Sequence, residues 1–261
     1  MTSALWVGKT GLDAQQTRMS VISNNLANVS TTGYKRGRAQ FEDLMYQNVR
    51  QTGAQSSQNT QLPSGLMLGT GVRTVSTAKL FTQGNIIQTG NNLDLAISGR
   101  GFFEIQMPDG TSAYTRDGSF QLNDQGQIVT SNGYLLQPAI TLPTGVQSVT
   151  VGRDGVISAQ LAGQATATQI GTLQTVDFIN PAGLQAVGQN LFVQSSASGD
   201  PQPGNPDANG RGSIMQGALE TSNVNVVEEM VDMIETQRAY EMNSKVISTT
   251  DQMLQYTNQN L

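Results

Sequence analysis

The chain has 261 residues, of which only 13% are charged and 37% are hydrophobic, and its formal net charge is −5. The acidic balance excludes a general affinity for nucleic-acid phosphates. The absence of cysteine and histidine excludes disulfides, thiolate metal sites and the commonest general base. The many uncharged polar residues suit a surface that other subunits cover, because burying an amide costs less than burying a charge. A loop-rich secreted β-protein fits this composition equally well.

The N-terminal segment carries no recognisable targeting signal. Met1–Lys9 has neither a basic n-region nor a long apolar h-region, so we expect no cleavable signal peptide. No run approaches the roughly 20 apolar residues that cross a bilayer. A cytoplasmic protein and a protein exported without cleavage both fit these features.

The first predicted element is a helix with a narrow apolar stripe. Its apolar residues recur every seven positions at Leu5, Leu12, Met19 and Leu26, with Ile22 and Val29 three residues beyond the last two. Such a stripe packs against another helix. Gly8 and Gly11 weaken the first turns, and Gly33 is placed to supply the left-handed conformation that ends a helix.

Two stretches are predicted to be linkers. Gln47–Gly71 is rich in glutamine, serine, threonine and glycine, and Ser195–Gly212 holds three of the eight prolines. Just before the first stretch, Lys35, Arg36 and Arg38 form a short basic cluster. Alone, this cluster would be a weak nucleic-acid patch, which the acidic balance of the chain argues against.

Between these stretches, short alternating runs are separated by closely spaced turn pairs. The turn pairs are Asp109-Gly110, Asp117-Gly118, Asn123–Gly126, Asn132-Gly133, Asp154-Gly155 and Ala162-Gly163. Asp-Gly and Asn-Gly between alternating runs are strong hairpin signals, and their spacing predicts an antiparallel β-domain. Its predicted core residues are Phe102, Ile105, Tyr114, Phe120, Leu122, Ile128, Val129, Leu135, Leu173, Phe178 and Phe192.

The last predicted element is a long helix over Val226–Thr257. Asn225 and Glu228 form an N-cap and capping-box pair. Apolar residues recur every seventh position at Val226, Met233, Tyr240, Ile247, Leu254 and Leu261, and Met230 and Ile234 widen the stripe. Sustained heptads favour a coiled coil, and a terminal helix docked on its own core is the alternative. Two narrow stripes bury too little apolar surface to cover the cost of ordering the ends, so we expect neighbouring copies to stabilise both helices.

Few residues qualify for catalysis or metal binding. The acids of the middle region nearly all flank glycine in predicted turns, where capping the backbone explains them. Residues 205–210 imitate the first half of a calcium loop, but Gln216 stands where a bidentate glutamate is needed. We therefore expect no catalytic residue, no metal and no cofactor.

Motifs at both ends resemble the signatures of one protein family. Residues 24–35 (NNLANVSTTGYK) resemble the N-terminal signature shared by flagellar rod and hook proteins, and residues 220–225 (ETSNVN) with 237–245 (QRAYEMNSK) resemble the matching C-terminal signature. Residues 101–103 (GFF) and 114–120 (YTRDGSF) resemble the central β region of the family. The resemblance covers essentially the whole chain.

The resemblance implies a structural role in a tubular assembly. The length is too short for hook proteins with an additional outer domain, and residues 62–72 resemble the distal rod subfamily; the proximal rod subfamily and, less favoured, a carbohydrate-acting β-domain enzyme are the alternatives. The implied location is the rod, which spans the periplasm. The implied partners are other copies of the chain, proximal rod and hook proteins, peptidoglycan-associated and outer-membrane ring proteins and the flagellar export apparatus, with no nucleic acid and no small-molecule substrate.

The expected fold class is α+β, with both terminal helices paired as a coiled-coil-like inner domain and a central, mainly antiparallel β-domain. The expected division is 1–33 plus 226–261 for the inner domain, 34–71 plus 213–225 for the connecting region and 72–212 for the β-domain.

The predicted site residues fall into three groups. The N-terminal assembly residues are Leu5, Leu12, Met19, Ile22, Asn24, Asn25, Leu26 and Asn28. The C-terminal ones are Val226, Met230, Met233, Ile234, Tyr240, Asn243, Ile247 and Leu254. A stiffening segment comprises Gln55, Ser56, Leu62, Pro63 and Gly65. We expect the asparagines inside the stripes to hydrogen-bond across subunits, whereas Asn225 and Asn223 also fit local capping.

Overall fold

The structure is a computed structural model that describes residues 2–53, 55–57, 60–61, 63–163 and 166–259. The described residues form an α+β fold with one long helix near each end and antiparallel strands between them. The predictions of two terminal helices and an antiparallel β region are confirmed. The chain divides into two compact units: the first holds residues up to 27, 37–78 and from 225 onward, and the second holds 28–36 and 79–224.

The first unit contains both helices, α1 (Thr2–Ala27) and α2 (Val226–Gln259). Their pairing is antiparallel, because residues near the start of α1 lie against the later part of α2 and residues at its end bond to the start of α2. The side-chain oxygen of Asn225 accepts the N–H of Val227 at 3.1 Å, as an N-cap residue does. The predicted start of α2 is therefore confirmed.

The predicted end of α1 is wrong by several residues. The helix ends at Ala27, and turns follow up to Gly33. Gly33 has the expected left-handed conformation, with φ +67°. It serves a turn after the helix, where a Cβ would lie 2.6 Å from the backbone nitrogen of Asp117. A close approach of two chain segments, rather than helix termination, requires this glycine.

Three two-stranded ribbons belong to the described residues of the first unit, and the second and third are antiparallel. β1 (Gly37–Asp43) pairs with β6 (Val72–Lys79), β2 (Tyr46–Arg50) pairs with β5 (Leu66–Gly69), and β3 (Gln55–Ser57) pairs with β4 (Thr60–Gln61). Much of the stretch predicted to be a linker, Gln47–Gly71, thus consists of ribbon strands. We call the described residues from β2 to β5 the arm.

The second unit is built from short strands. They are β7 (Ile86–Gln88), β8 (Leu95–Ser98), β9 (Phe103–Gln106), β10 (Ser112–Thr115), β11 (Phe120–Leu122), β12 (Ile128–Thr130), β13 (Leu135–Gln137), β14 (Val146–Val151), β15 (Val156–Leu161), β16 (Thr168–Thr172), β17 (Thr175–Asp177), β18 (Gln185–Gly188), β19 (Leu191–Val193), β20 (Gln202–Gly204), β21 (Ser213–Gln216) and β22 (Ala218–Glu220). A short 3₁₀ turn spans Pro181–Gly183.

A seven-stranded sheet dominates this unit, in the order β11-β12-β13-β9-β10-β19-β18. A three-stranded sheet follows in the order β14-β15-β16, and β17–β20, β8–β21 and β7–β22 form pairs. The predicted turns at Asp109-Gly110, Asn123–Gly126, Asn132-Gly133 and Asp154-Gly155 join strands that do pair as hairpins. Asp117-Gly118 does not, because β10 and β11 lie apart in the sheet.

Most predicted core residues are buried, and two are not. Leu122 is 44% exposed because it is the last residue of β11, which is an edge strand. Leu135 is only half-buried, whereas its neighbour Leu136 is 1% exposed. Successive residues of a strand face opposite sides of the sheet, so the pair of leucines by itself could not indicate which one faces the core.

Gly118 shows how tightly the second unit packs. A Cβ on this residue would lie only 1.6 Å from the carbonyl oxygen of Leu95, a backbone atom that cannot move aside. We expect Gly118→Ala to lower the free energy of unfolding by about 3 kcal/mol, the upper end of typical overpacking costs. Gly69→Ala is the control, because its Cβ would meet Tyr46 at an ordinary 3.6 Å. Urea denaturation of both variants tests this, and equal losses would contradict it.

The burial of Tyr114 makes the stability of the folded chain depend on pH in the alkaline range. Tyr114 is 3% exposed, and its burial, with a smaller contribution from the charge of Glu104, raises its pKa to about 12. The folded state therefore retains this proton between about pH 10 and 12 while the unfolded state loses it, so stability falls as pH rises through that window, by about 2–3 kcal/mol. We expect Tyr114→Phe to reduce this alkaline loss in denaturant melts at pH 9 and pH 12. An unchanged slope would contradict the assignment.

Candidate assembly surfaces

The two helices of the first unit meet along a seam of small and polar residues. A Cβ on Gly8 would lie 2.9 Å from Cγ1 of Ile247, and one on Gly11 would lie 3.0 Å from Nδ2 of Asn243. The buried seam residues of α1 also include Ala14 and Ile22, and those of α2 are Glu229, Thr236 and Thr250. The helices approach closely because the seam residues are small, and the seam itself buries little apolar surface.

Asn25 anchors the end of this seam. Its Nδ2 donates to the carbonyl oxygen of Gly37 at 2.9 Å and to Oε2 of Glu229 at 3.2 Å, and its Oδ1 accepts the N–H of Gly37 at 2.8 Å. Asn25 and Glu229 are 2% and 0% exposed. The amide of Asn25 therefore bonds within the chain, unlike the cross-subunit role that we expected for it. Asn223 likewise bonds internally, to Arg36, Leu80 and Thr82.

Large apolar side chains of α2 are exposed outside the seam. They are Val227, Met230, Val231, Ile234, Met242, Val246, Met253 and Tyr256, with exposed fractions between 49% and 71%. A helix turns by about 100° per residue, so Val227, Met230, Val231 and Ile234 centre roughly 160° from Glu229 and Thr236. The later residues of the set lie roughly 60–140° from the line through Glu229, Thr236 and Thr250. We call this set the apolar face of α2. A helix with exposed apolar residues outside its intramolecular contact has a second surface to bury.

The predicted C-terminal stripe divides between these two sides. Val226, Met230, Ile234 and Tyr240 are exposed, whereas Met233, Asn243, Ile247 and Leu254 are half-buried. An α-helix drifts by about 20° per heptad relative to a strict seven-residue repeat. The stripe therefore starts beside the apolar face and reaches the seam only near Ile247.

The predicted residues of α1 and the arm are more scattered. Leu5, Leu12, Met19, Leu26 and Asn28 are half-buried, Ile22 is buried and Asn24 is exposed. In the arm, Gln55 and Ser56 lie in β3 and Pro63 is exposed. Gly65 is packed tightly, because a Cβ there would lie 2.6 Å from the carbonyl oxygen of Arg50. Leu62 and Leu261 lie outside the described residues.

The arm exposes apolar side chains from both of its longer strands. Tyr46, Val49, Leu66, Met67 and Leu68 are between 48% and 57% exposed. A two-stranded ribbon in water is marginally stable at best. The arm is therefore a second surface that needs a covering partner.

A buried charge cluster lies in the second unit. Nζ of Lys35 donates to Oε1 of Glu220 at 2.5 Å, and Nη1 of Arg116 donates to Oε2 at 3.2 Å. The side chains of Lys35 and Glu220 are fully buried and that of Arg116 is 4% exposed. Burial lowers the pKa of Lys35 and of Arg116, and the Glu220 carboxylate opposes both shifts. Lys35 is therefore not available to a basic surface patch, which agrees with the argument against a nucleic-acid site at Lys35, Arg36 and Arg38.

Three family models match this chain in the order expected from its motifs. Residues 5–35 match the model described as flagella basal body rod protein, residues 96–159 match the flagellar hook protein FlgE/F/G D1 domain, and residues 215–260 match the flagellar basal body rod FlgEFG protein C-terminal model. Together they cover α1, the centre of the β region and α2.

Full-length relatives share extensive identity with the chain. The flagellar basal-body rod protein FlgG of Buchnera aphidicola subsp. Schizaphis graminum is 56% identical over 99% of this chain and 100% of its own length. The chain belongs to the flagellar basal-body rod protein family. This rod protein is 46% identical to the FlgG of Caulobacter vibrioides over 98% of each chain. It is 35% identical to the FlgF of the same organism, over 97% of this chain and 95% of that FlgF.

The seam is the feature of this rod protein that sequence analysis missed. Gly8, Gly11 and Ala14 recur at a spacing of three, which places small residues on one side of a helix; we interpreted the two glycines only as helix-weakening. Among the described residues of this rod protein, no helix is long and apolar enough to cross a membrane. The same residues contain no cluster of three or more acidic side chains arranged to hold a metal ion.

Proposed function

We propose that this rod protein is a structural subunit of the flagellar distal rod, which assembles with copies of itself into a rigid hollow tube that transmits torque to the hook. The observation that carries the proposal is the apolar face of α2, which is exposed outside the α1 seam. Within one chain the seam already uses the inner side of α2. Further copies of the chain are the partners that cover the remaining apolar residues.

The distal rod is favoured over the proximal rod by the relatives from a single organism. Both Caulobacter relatives cover the chain almost completely, and the FlgG relative has the higher identity, 46% against 35%. Because both relatives come from one species, evolutionary distance between organisms does not contribute to the difference in identity. A structural role, rather than a catalytic one, fits both relatives.

The finer architecture is part of the same proposal. Helices α1 and α2 of stacked copies form a coiled-coil-like inner tube over residues 1–33 and 226–261, connected through 34–71 and 213–225 to the β-domain of 72–212. Asn24, Asn28 and Asn243 hydrogen-bond across copies. The partners are proximal rod and hook proteins, the rings around the rod and the export apparatus.

Electron microscopy of the concentrated protein tests the function. We expect straight tubes with a central lumen. Solid fibres, or a protein that stays monomeric at every concentration, would contradict the proposal. An activity screen on peptidoglycan distinguishes a rod subunit from the alternative, a carbohydrate-acting β-domain enzyme. The enzyme would release soluble sugar fragments, and a rod subunit would not.

The arm is the proposed stiffening element. Its exposed apolar residues would lie against an adjacent copy and block sliding between subunits, which a shaft under torque must resist. We expect replacement of residues 47–68 by a short glycine-serine turn to leave the helices intact and to give curved or compressible tubes. Persistence length, measured from electron micrographs, is the observable. Straight tubes of unchanged stiffness would contradict this role.

A further inference from the structure

The buried charges of the second unit come from three distant parts of the sequence. Lys35 and Glu220 are separated by 185 residues, and Arg116 and Glu220 by 104. Glu220 ends β22, which pairs with β7, and its backbone carbonyl oxygen accepts the N–H of Gly33 at 2.8 Å. One short strand thus joins two otherwise remote segments.

Both cations depend on the single carboxylate of Glu220. Apart from Glu220, Lys35 donates to the carbonyl oxygen of Thr82, and Arg116 donates to the carbonyl oxygens of Ile97 and Gly99. No other carboxylate of the described residues lies within ion-pair distance of either cation. If β22 were undocked, the closed unit would hold two buried positive charges without an ion-pair partner, and only the more distant Asp177 would act on Arg116. Such a state is strongly unfavourable.

The Glu220 carboxylate accepts hydrogen bonds at both of its oxygens. Its Oε1 accepts the Lys35 ammonium and also the backbone N–H of Gly84 at 2.8 Å, while its Oε2 accepts from Arg116. Each oxygen therefore has a charged donor. Replacing the carboxylate by an amide would remove the negative charge and place an NH₂ group against one of the two cations.

We infer that Lys35, Arg116 and Glu220 form a closing lock, which completes the second unit only when β22 docks, after strands β9–β13 of the seven-stranded sheet have paired. Contacts between residues more than 100 positions apart carry the largest loop-closure cost, whereas the hairpins of the sheet join neighbours. A chain that has not yet supplied Glu220 remains open around Lys35 and Arg116. This order follows from the buried charges and the loop-closure cost together, and it holds whatever the chain assembles into.

Pulse-labelling hydrogen exchange during refolding of the full chain from urea tests the lock. Mass spectrometry reads peptides of β9–β13 separately from peptides covering 29–36 and 217–224. In the unsubstituted chain, we expect the sheet peptides to gain protection first and the other two to gain it last and together. Protection of 29–36 and 217–224 before or with the sheet would overturn the inference.

The variant Glu220→Gln adds a second measurement, with Glu42→Gln as its control because Glu42 pairs with Arg73 at the surface. Breaking a buried ion pair is strongly destabilising, so we expect native-state opening of 29–36 and 217–224 to become at least a hundredfold faster in Glu220→Gln, with the rate of sheet formation unchanged within about twofold. Glu42→Gln should change neither. A slowing of sheet formation that matches the faster opening would mean that the cluster forms early, and would overturn the lock. If Glu220→Gln does not fold, the order of protection in the unsubstituted chain still decides.

Discussion

A chain carrying Ile234→Lys is expected to keep its second unit folded and to fail to polymerise at concentrations where the unsubstituted chain forms tubes. Ile234 is 50% exposed in the single chain, on the apolar face of α2. Its substitution therefore removes little intramolecular packing. In the assembly, a lysine there loses the burial of an isoleucine, about 1.5–3 kcal/mol, and adds the cost of burying a charge.

The expected size of this effect is large because every subunit carries the substitution. A loss of about 2.8 kcal/mol per contact raises the critical concentration about a hundredfold. Sedimentation of a concentration series measures it. Ile179→Lys is the control, since Ile179 is also an exposed isoleucine, at 77% against 50% for Ile234, and lies in the second unit. Polymerisation of Ile234→Lys at the critical concentration of the unsubstituted chain would contradict the role of the apolar face.

The second large effect concerns the helices themselves. We expect circular dichroism of the dilute free subunit to show much less helix than the 26 residues of α1 and 34 of α2 would give. Ordering about 60 residues costs roughly 1–2 kcal/mol each in backbone entropy. The seam that joins the helices offers mainly glycine, alanine and threonine in return, with Ile22 as its one large, fully buried aliphatic residue among those described.

The polymer should recover the missing helix signal, because neighbouring copies bury the apolar face of α2. The comparison is made on one preparation, before and after assembly, so that concentration is the only variable. The free form of Ile234→Lys serves as the control and should match the unsubstituted monomer. A dilute monomer with the full helix signal would show that the seam alone suffices, and would contradict this expectation.

The terminal helices and the hairpins could be predicted because their signals are local. The N-cap of α2 depends on Asn225 and its immediate neighbours, and an Asn-Gly pair such as Asn132-Gly133 specifies its own turn. The end of α1 could not be predicted in the same way. Gly33 has the left-handed conformation that its sequence context suggested, but the reason is the backbone of Asp117, far along the chain.

The candidate site was predicted only in part, for a geometric reason. A heptad repeat marks one line on a helix, and it does not show whether that line faces a partner in the same chain or in another. Met230 and Ile234 were selected for the stripe and are exposed, whereas Thr236 was overlooked and is buried in the seam. Small residues carry no hydrophobic signal, although they decide where two helices can approach most closely.

The amino-acid sequence by itself determined the family, the two long helices and the antiparallel character of the middle, since each depends on residues close together in the chain. Tertiary structure alone decided which side of α2 remains free, and which charges are buried. Lys35 lies close in sequence to Arg36 and Arg38, which is the sequence environment of a surface residue. It is buried because Glu220, 185 residues away, supplies the opposite charge, and no local pattern records such a pairing.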